Sequence, residues 1–266
     1  MKGCLLVLAA VLLALSCARL PKIVPVTGAD PSGPTEGCSR IFPAGEWQLL
    51  HSIEADLPGG RRSVMMGLTV LSSRLRSNRS VIMSLEGFVV FDGEVNQGLK
   101  VHRALSPFDS PGFAEGLMED IRLIFFKPEG PAECGKLTDD STVCRYKNPD
   151  GGVVDIVLRS TGSCESLRYD REQRLIRIVR VPADARTRDG LPQTIELTAR
   201  GEQSYKLVMT LLEAVPLDPK PLANGSQKNK LVILPGWDCC RQSHFKKPKH
   251  PFFRERKRLH KSPLKV

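Results

Sequence analysis

Tyr205-Lys206-Leu207-Val208-Met209-Thr210-Leu211-Leu212 decides the fold class. Tyr205, Leu207, Met209 and Leu211 fall on one side of an extended chain and Lys206, Val208 and Thr210 on the other, because successive strand side chains point to opposite faces. The same period recurs over 47–57, 63–72, 80–91, 99–105, 153–158, 175–181 and 194–199. Pro58-Gly59-Gly60, Asp92-Gly93, Asp150-Gly151-Gly152 and Arg200-Gly201-Glu202 supply turns between most of these runs. The pattern predicts a meander of antiparallel strands. One segment breaks it: after Asp109-Ser110-Pro111, the apolar residues Phe113, Leu117, Ile121, Leu123 and Ile124 approach helical spacing, which predicts one helix over 111–125. The fold class is therefore mainly β with one or few helices.

The meander, 46–216, is long enough to bury one core without disulfide support. Before it, 17–45 is rich in Pro, Gly and Ser and reads as a tether. The chain carries a net charge of +10 from 39 basic and 29 acidic residues. From Pro221 onward there are 12 Lys/Arg and 2 Asp/Glu, leaving 27 of each sign before it, so the charge belongs to the tail. The tail, 217–266, includes Lys246-Lys247-Pro248-Lys249 and Arg254-Glu255-Arg256-Lys257-Arg258 with Phe245, Phe252 and Phe253 interspersed. Such a composition suits contact with anionic lipid, lipopolysaccharide or RNA, or a disordered appendage; export removes the case for nucleic acid.

Export is read from the N-terminus. Lys2 precedes an apolar run from Leu5 to Leu15, which is too short to span a bilayer and has the length of a signal-peptide core. Leu13-Ala14-Leu15-Ser16-Cys17 resembles the lipoprotein signal, in which cleavage before a lipidated cysteine leaves an acylated N-terminus. The resemblance implies removal of 1–16, lipid on Cys17 and a membrane attachment through that anchor. Two or three acyl chains hold stably where one holds marginally. Ala18, in place of the aspartate that retains such proteins at the inner membrane, implies the periplasmic face of the outer membrane. The alternative is an ordinary secreted protein.

Of eight cysteines, Cys4 leaves with the signal and Cys17 takes the lipid, so six remain in an oxidising compartment: Cys38, Cys134, Cys144, Cys164, Cys239 and Cys240. Fifteen pairings are open, among them a loop closed by Cys134 and Cys144. The spacing offers no zinc set, and no cofactor is implied. The chemistry of an enzyme is also missing: 46–216 holds two histidines, His51 and His102, with neither a Gly-x-Ser-x-Gly elbow nor a His-Glu-x-x-His pair. His102 and Asp109 form a conceivable dyad with no nucleophile at a fixed offset, and Glu115, Glu119 and Asp120 read as a solvated helix face.

The order of strands, one helix, and further strands behind a lipoprotein signal resembles the LolA/LolB family over 46–213. Leu85-Glu86-Gly87, Ile121-Arg122-Leu123-Ile124-Phe125-Phe126-Lys127-Pro128 and the closing strands 175–181 and 194–212 carry the likeness. It implies an antiparallel curved sheet, a half-barrel covered by helix, that shelters acyl chains of lipid or lipoprotein. The lining it implies is Met66, Leu68, Met83, Phe91, Leu117, Ile121, Ile124, Ile178, Leu207 and Met209; the same spacings also suit an ordinary filled core. By order along the chain, the membrane-contacting loop of LolB falls on Ser84-Leu85-Glu86-Gly87-Phe88. This makes Leu85 and Phe88 candidates for membrane contact, although Glu86 departs from the family and Leu85 and Phe88 could instead continue a strand. The function so implied is lipid binding or transfer at the outer membrane; the alternative is an envelope interaction protein with a packed, ligand-free domain.

Overall fold

A computed structural model describes residues 20–25, 32–201 and 204–217. Cys17 and the tail beyond Leu217 lie outside them, as do Cys239 and Cys240. Twelve strands follow one another: β1 (Glu46–Leu57), β2 (Arg61–Ser72), β3 (Ser77–Met83), β4 (Val89–Val95), β5 (Leu99–Ala104), β6 (Ala132–Lys136), β7 (Thr142–Lys147), β8 (Val153–Leu158), β9 (Cys164–Tyr169), β10 (Leu175–Val181), β11 (Thr194–Ala199) and β12 (Tyr205–Pro216). Helix α1 (Ser32–Ser39) precedes them, and α2 (Phe113–Phe125) lies between β5 and β6.

All twelve strands form one antiparallel sheet in the order β5-β4-β3-β2-β1-β12-β11-β10-β9-β8-β7-β6. The strand before α2 and the strand after it are therefore opposite edges. Laid flat, eleven strand spacings would separate those edges by roughly 50 Å, whereas thirteen helical residues span about 20 Å. Curling the sheet removes the mismatch. Side chains from β1 through β4 and from β7 through β12 join those of α2 in a single core, so the sheet wraps the helix. This is the half-barrel, covered by a helix, that the resemblance implied.

Pair register defines the inner face. Leu49, His51, Ile53 and Ala55 of β1 face inward, opposite Thr69, Gly67, Met65 and Ser63 of β2. Across the other neighbour they oppose Ala214, Leu211, Met209 and Leu207 of β12. Gly67 sits where an added Cβ would lie 2.6 Å from Ile53 Cδ1, so Ile53 takes the room a side chain would need. Gly93 does the same for the helix: a Cβ there would meet the Phe91 ring at 2.8 Å and Met118 Cε at 3.0 Å. Asp92-Gly93, expected as a turn, is thus the middle of β4, and its glycine provides close approach.

Other boundaries also change. The expected strand 80–91 is two strands, folded back at Ser84–Phe88 by a Gly87 with φ +89° and by the Ser84 N–H donating to Phe88 O. Strands β6, β7 and β9 were not expected, because Cys164-Glu165-Ser166-Leu167-Arg168-Tyr169 alternates little. Glu165 is buried there because Arg159 and Arg180 hold it from both sides. Nor is 32–45 a tether throughout. Helix α1 places Cys38, fully buried, in the main core, and Arg186 reaches Ile41 O at 3.3 Å.

Residues 20–25 lie against the opposite face. Ile23 and Leu20 join Val143, Val153, Val157, Leu167, Tyr169 and Ile178 in a second, outer cluster, and Val24 pairs with Lys136 of the edge strand β6. The buried Arg145–Asp155 pair sits on that same outer side, with Arg145 also donating to Pro21 O at 2.9 Å.

Candidate functional site: the half-barrel interior and its rim

The helix lays its apolar stripe into the half-barrel. Met118, Ile121, Leu123, Ile124 and Phe125 are buried against the sheet, and Phe125 stacks obliquely on His51 at 5.9 Å. Of the expected lining residues, the fold gathers Phe91, Leu117, Ile121, Ile124, Leu207 and Met209 into this interior. It turns four away. Met66, Leu68 and Met83 stand on the outer face, where Met66 opposes Met83 and Leu68 opposes Val81 across the β2–β3 pair. Ile178 packs on the outer cluster. The physical reason lies in β2, whose two faces are both largely apolar; register with β1 selects Met65, Gly67, Thr69 and Leu71 as the inward set. Leu49, Ile53, Met65, Ile195 and Leu197 are the lining residues that the sequence reading omitted.

The interior is filled by α2 and is partly polar. Thr69 and Ser80 pair at 3.2 Å, and the Asn78 amide donates to Met118 Sδ at 3.2 Å. His51 is 1% exposed, and neither ring nitrogen has a hydrogen-bond partner among the described residues. Burial holds its pKa down to about 4, so the ring is neutral at physiological pH.

Asp120, expected on a solvated face, is instead buried. Arg177 Nε donates to Asp120 Oδ1 at 2.9 Å and the Tyr205 hydroxyl donates to Oδ2, which ties the helix to β10 and β12. Burial raises the Asp120 carboxyl above its ordinary range against the opposing pull of Tyr205 and Arg177. Glu119 pairs with Arg168 at 3.4 Å, whereas Glu115 is exposed as expected. His102 faces Glu94 at 3.3 Å on the outside of the sheet.

At one end the interior is flanked by an aromatic cluster. Phe113, at the start of α2, meets Phe91 at 6.1 Å and Phe108 at 5.0 Å, both edge-on. Phe108 and Phe113 are half-buried. The Leu105 N–H donates to Val90 O, which brings the post-β5 loop beside the β3–β4 hairpin. Leu85 and Phe88 stand on that hairpin turn, 63% and 70% exposed, and Leu105 is exposed next to it. Neither Leu85 nor Phe88 continues a strand.

Along the opposite flank of the helix, a cleft of about 630 Å³ is lined by Leu75, Leu123, Phe126 and Val154 together with charged side chains. Those charges are largely matched: Arg76 with Glu129, and Arg168 with Asp150 and Glu119. Among the described residues no group of three potential metal ligands occurs, and no helix is long and apolar enough to cross a membrane.

The cysteine expectation is corrected. Cys144 is bonded to Cys38, and Cys134 is a thiol with its sulfur 2.8 Å from that of Cys144. The packing of α1 onto β6, β7 and β8, which the sequence did not disclose, brings Cys38 to the pair.

No family model matches the chain, and no curated protein does. Among solved structures, it is similar to a LolA superfamily protein from Nitrosomonas europaea, at 13% identity over 73% of this chain and 96% of that one, with a TM-score of 0.47. It is also similar to an outer membrane lipoprotein-sorting protein domain from Vibrio parahaemolyticus, at 10% identity over 68% and 90%, TM-score 0.41. A DUF1329 family protein from Desulfovibrio piger gives 10% identity over 68% and 89%, TM-score 0.41.

Proposed function

We propose that this is a lipid-anchored envelope protein, tethered through Cys17 at the periplasmic face of the outer membrane. Its half-barrel takes up an acyl chain along the inner face when α2 moves aside. The observation that carries the reading is that exposed Leu85, Phe88 and Leu105 stand at the end of the half-barrel where half-buried Phe108 packs on Phe113 and Phe113 on buried Phe91. At a bilayer surface the two large apolar side chains on the hairpin tip bury area worth about 25 cal/mol per Å². Uptake needs no nucleophile. It requires apolar walls, since each sheltered methylene contributes roughly 0.8 kcal/mol, and a plug that can leave. The His51 ring under Phe125, whose nitrogens have no hydrogen-bond partner among the described residues, makes the plugged state less stable than a fully satisfied core would be. In the basic tail, the Lys/Arg clusters suit contact with anionic lipid headgroups.

The test is fluorescent fatty-acid titration and vesicle co-sedimentation of residues 18–266, made without the signal segment and Cys17, and of the Leu85→Glu/Phe88→Glu variant of the same chain. Because both side chains are exposed, the variant should keep its melting temperature while losing vesicle binding and slowing acyl uptake. Equal uptake by both proteins would remove the rim from the account. No uptake by either would leave a packed interaction protein.

A further inference from the structure

We infer that Cys134, Cys144 and Cys38 form a thiol–disulfide exchange centre, in which the disulfide passes between Cys38–Cys144 and Cys134–Cys144 and thereby fastens or frees α1. Three sulfurs meet here, two from one hairpin and the third from 106 residues away. Cys134 and Cys144 are directly opposed in the β6–β7 pair, and Cys38 arrives from the helix packed over them. The Cys134 thiol contacts Cys144 Sγ, and Cys144 is the sulfur that both partners share.

The surroundings suit transfer between two seats. Thr35 Oγ1 of α1 lies 3.3 Å from Cys134 Sγ, so the helix presents a hydroxyl to the attacking atom. Cys38 Sγ has Ile156 O at 3.8 Å as a hydrogen-bond acceptor, which would hold Cys38 once it became a thiol. Cys134 is half-buried, whereas Cys38 and Cys144 are fully buried, so the free thiol in this state is the one within reach of solvent.

The step balances without an outside reagent. Cys134 loses its proton, and the resulting thiolate attacks Cys144 Sγ. The Cys134–Cys144 bond forms as the Cys144–Cys38 bond breaks, and Cys38 leaves as a thiolate that takes up a proton. One disulfide and one thiol exist before and after, and no sulfur is oxidised or reduced overall. The structural consequence is unequal. The Cys38–Cys144 bond joins residues 106 apart and ties α1 to the sheet, whereas Cys134–Cys144 staples only the edge hairpin. In the second state α1 loses its covalent tie to the sheet and is held by non-covalent contacts, among them that of Cys38 with Ile156 O. This inference is independent of lipid uptake.

Differential labelling of the native full-length chain tests it. The protein is acid-quenched, unfolded and blocked with N-ethylmaleimide before tryptic digestion. Trypsin leaves Cys38, Cys134 and Cys144 on separate peptides, 23–40, 123–136 and 137–145. Exchange predicts that 137–145 is found disulfide-linked to both of the others, with the label divided between Cys134 and Cys38. It further predicts that blocking Cys134 in the folded protein stops the Cys38 label from accumulating. In Cys134→Ser, Cys38 should carry no label, and hydrogen exchange over 32–39 should be slower than in Cys38→Ser. Label confined to Cys134, with 23–40 as the sole partner of 137–145, would overturn the proposal. So would labelling of Cys38 in Cys134→Ser.

Discussion

Replacing His51 by Leu should make the protein more stable and remove a specific part of its pH dependence. The ring is 1% exposed, lies against Phe125 and has no partner for either nitrogen among the described residues, so at neutral pH the native state carries two desolvated polar atoms. Leucine keeps similar bulk without them, and the gain should be on the order of 1–3 kcal/mol. Acid adds a second, separable effect. The folded pKa of about 4 lies below the unfolded value of 6.5. Between those values the unfolded chain binds more protons, and stability falls as pH falls. The whole interval is worth about 3 kcal/mol, of which about 2 kcal/mol is lost between pH 7.5 and pH 5. Carboxylates held low by ion pairs, such as Asp92 beside Arg79, contribute stability above their unfolded pKa and lose it in more acidic solution, below most of this window. Urea unfolding of parent and His51→Leu at both pH values reads the difference directly. If the two proteins lost equal stability on acidification, or if His51→Leu were the weaker at pH 7.5, the ring would have a partner that this account denies it.

Further outcomes follow from the same contacts. Arg177→Met leaves the buried Asp120 carboxylate without its cation and should cost about 3–5 kcal/mol in urea unfolding, much of it recovered in Asp120→Asn/Arg177→Met. Met209 is buried, with Ile53 and Ile195 as its partners in the flanking strands, so Met209→Phe should destabilise by about 1–3 kcal/mol in the same assay; an unchanged midpoint would show an open cavity at that position. Cys17→Ala should abolish palmitate labelling and leave the precursor uncleaved, whereas normal cleavage without label in the unmutated chain would indicate a secreted protein.

Alternation exposed eight runs that account for nine of the twelve strands, and the single long helix announced itself by a change to helical spacing. Alternation alone could not say which set faces inward. In β2, Met66 and Leu68 are as apolar as Met65 and Leu71, and the inward set contains Gly67 and Thr69, which look like the solvent side. Only pairing with β1, where Ile53 fills the space above Gly67, settles the choice. Strand β9 was invisible for the opposite reason: Glu165 and Arg168 are buried or half-buried because of ion pairs made with other strands and with α2. The hairpin at Leu85 and Phe88 was placed by resemblance and not by periodicity, since two apolar residues flanking Glu86-Gly87 read equally well as strand. Likewise α1, written in Ser, Gly, Pro and Thr, owes its helix to packing and to the Cys38–Cys144 bond more than to propensity.

Native mass spectrometry of residues 18–266, exported behind a signal peptide that an ordinary signal peptidase removes, tests acyl binding most directly. The account predicts a population heavier than the polypeptide by the mass of one acyl lipid, released by organic extraction and displaced by added fatty acid. It also predicts that the mass is lost when a disulfide engineered between α2 and β12 holds the helix in place. A bare polypeptide mass, with no fatty acid taken up even when the helix is free, would contradict it.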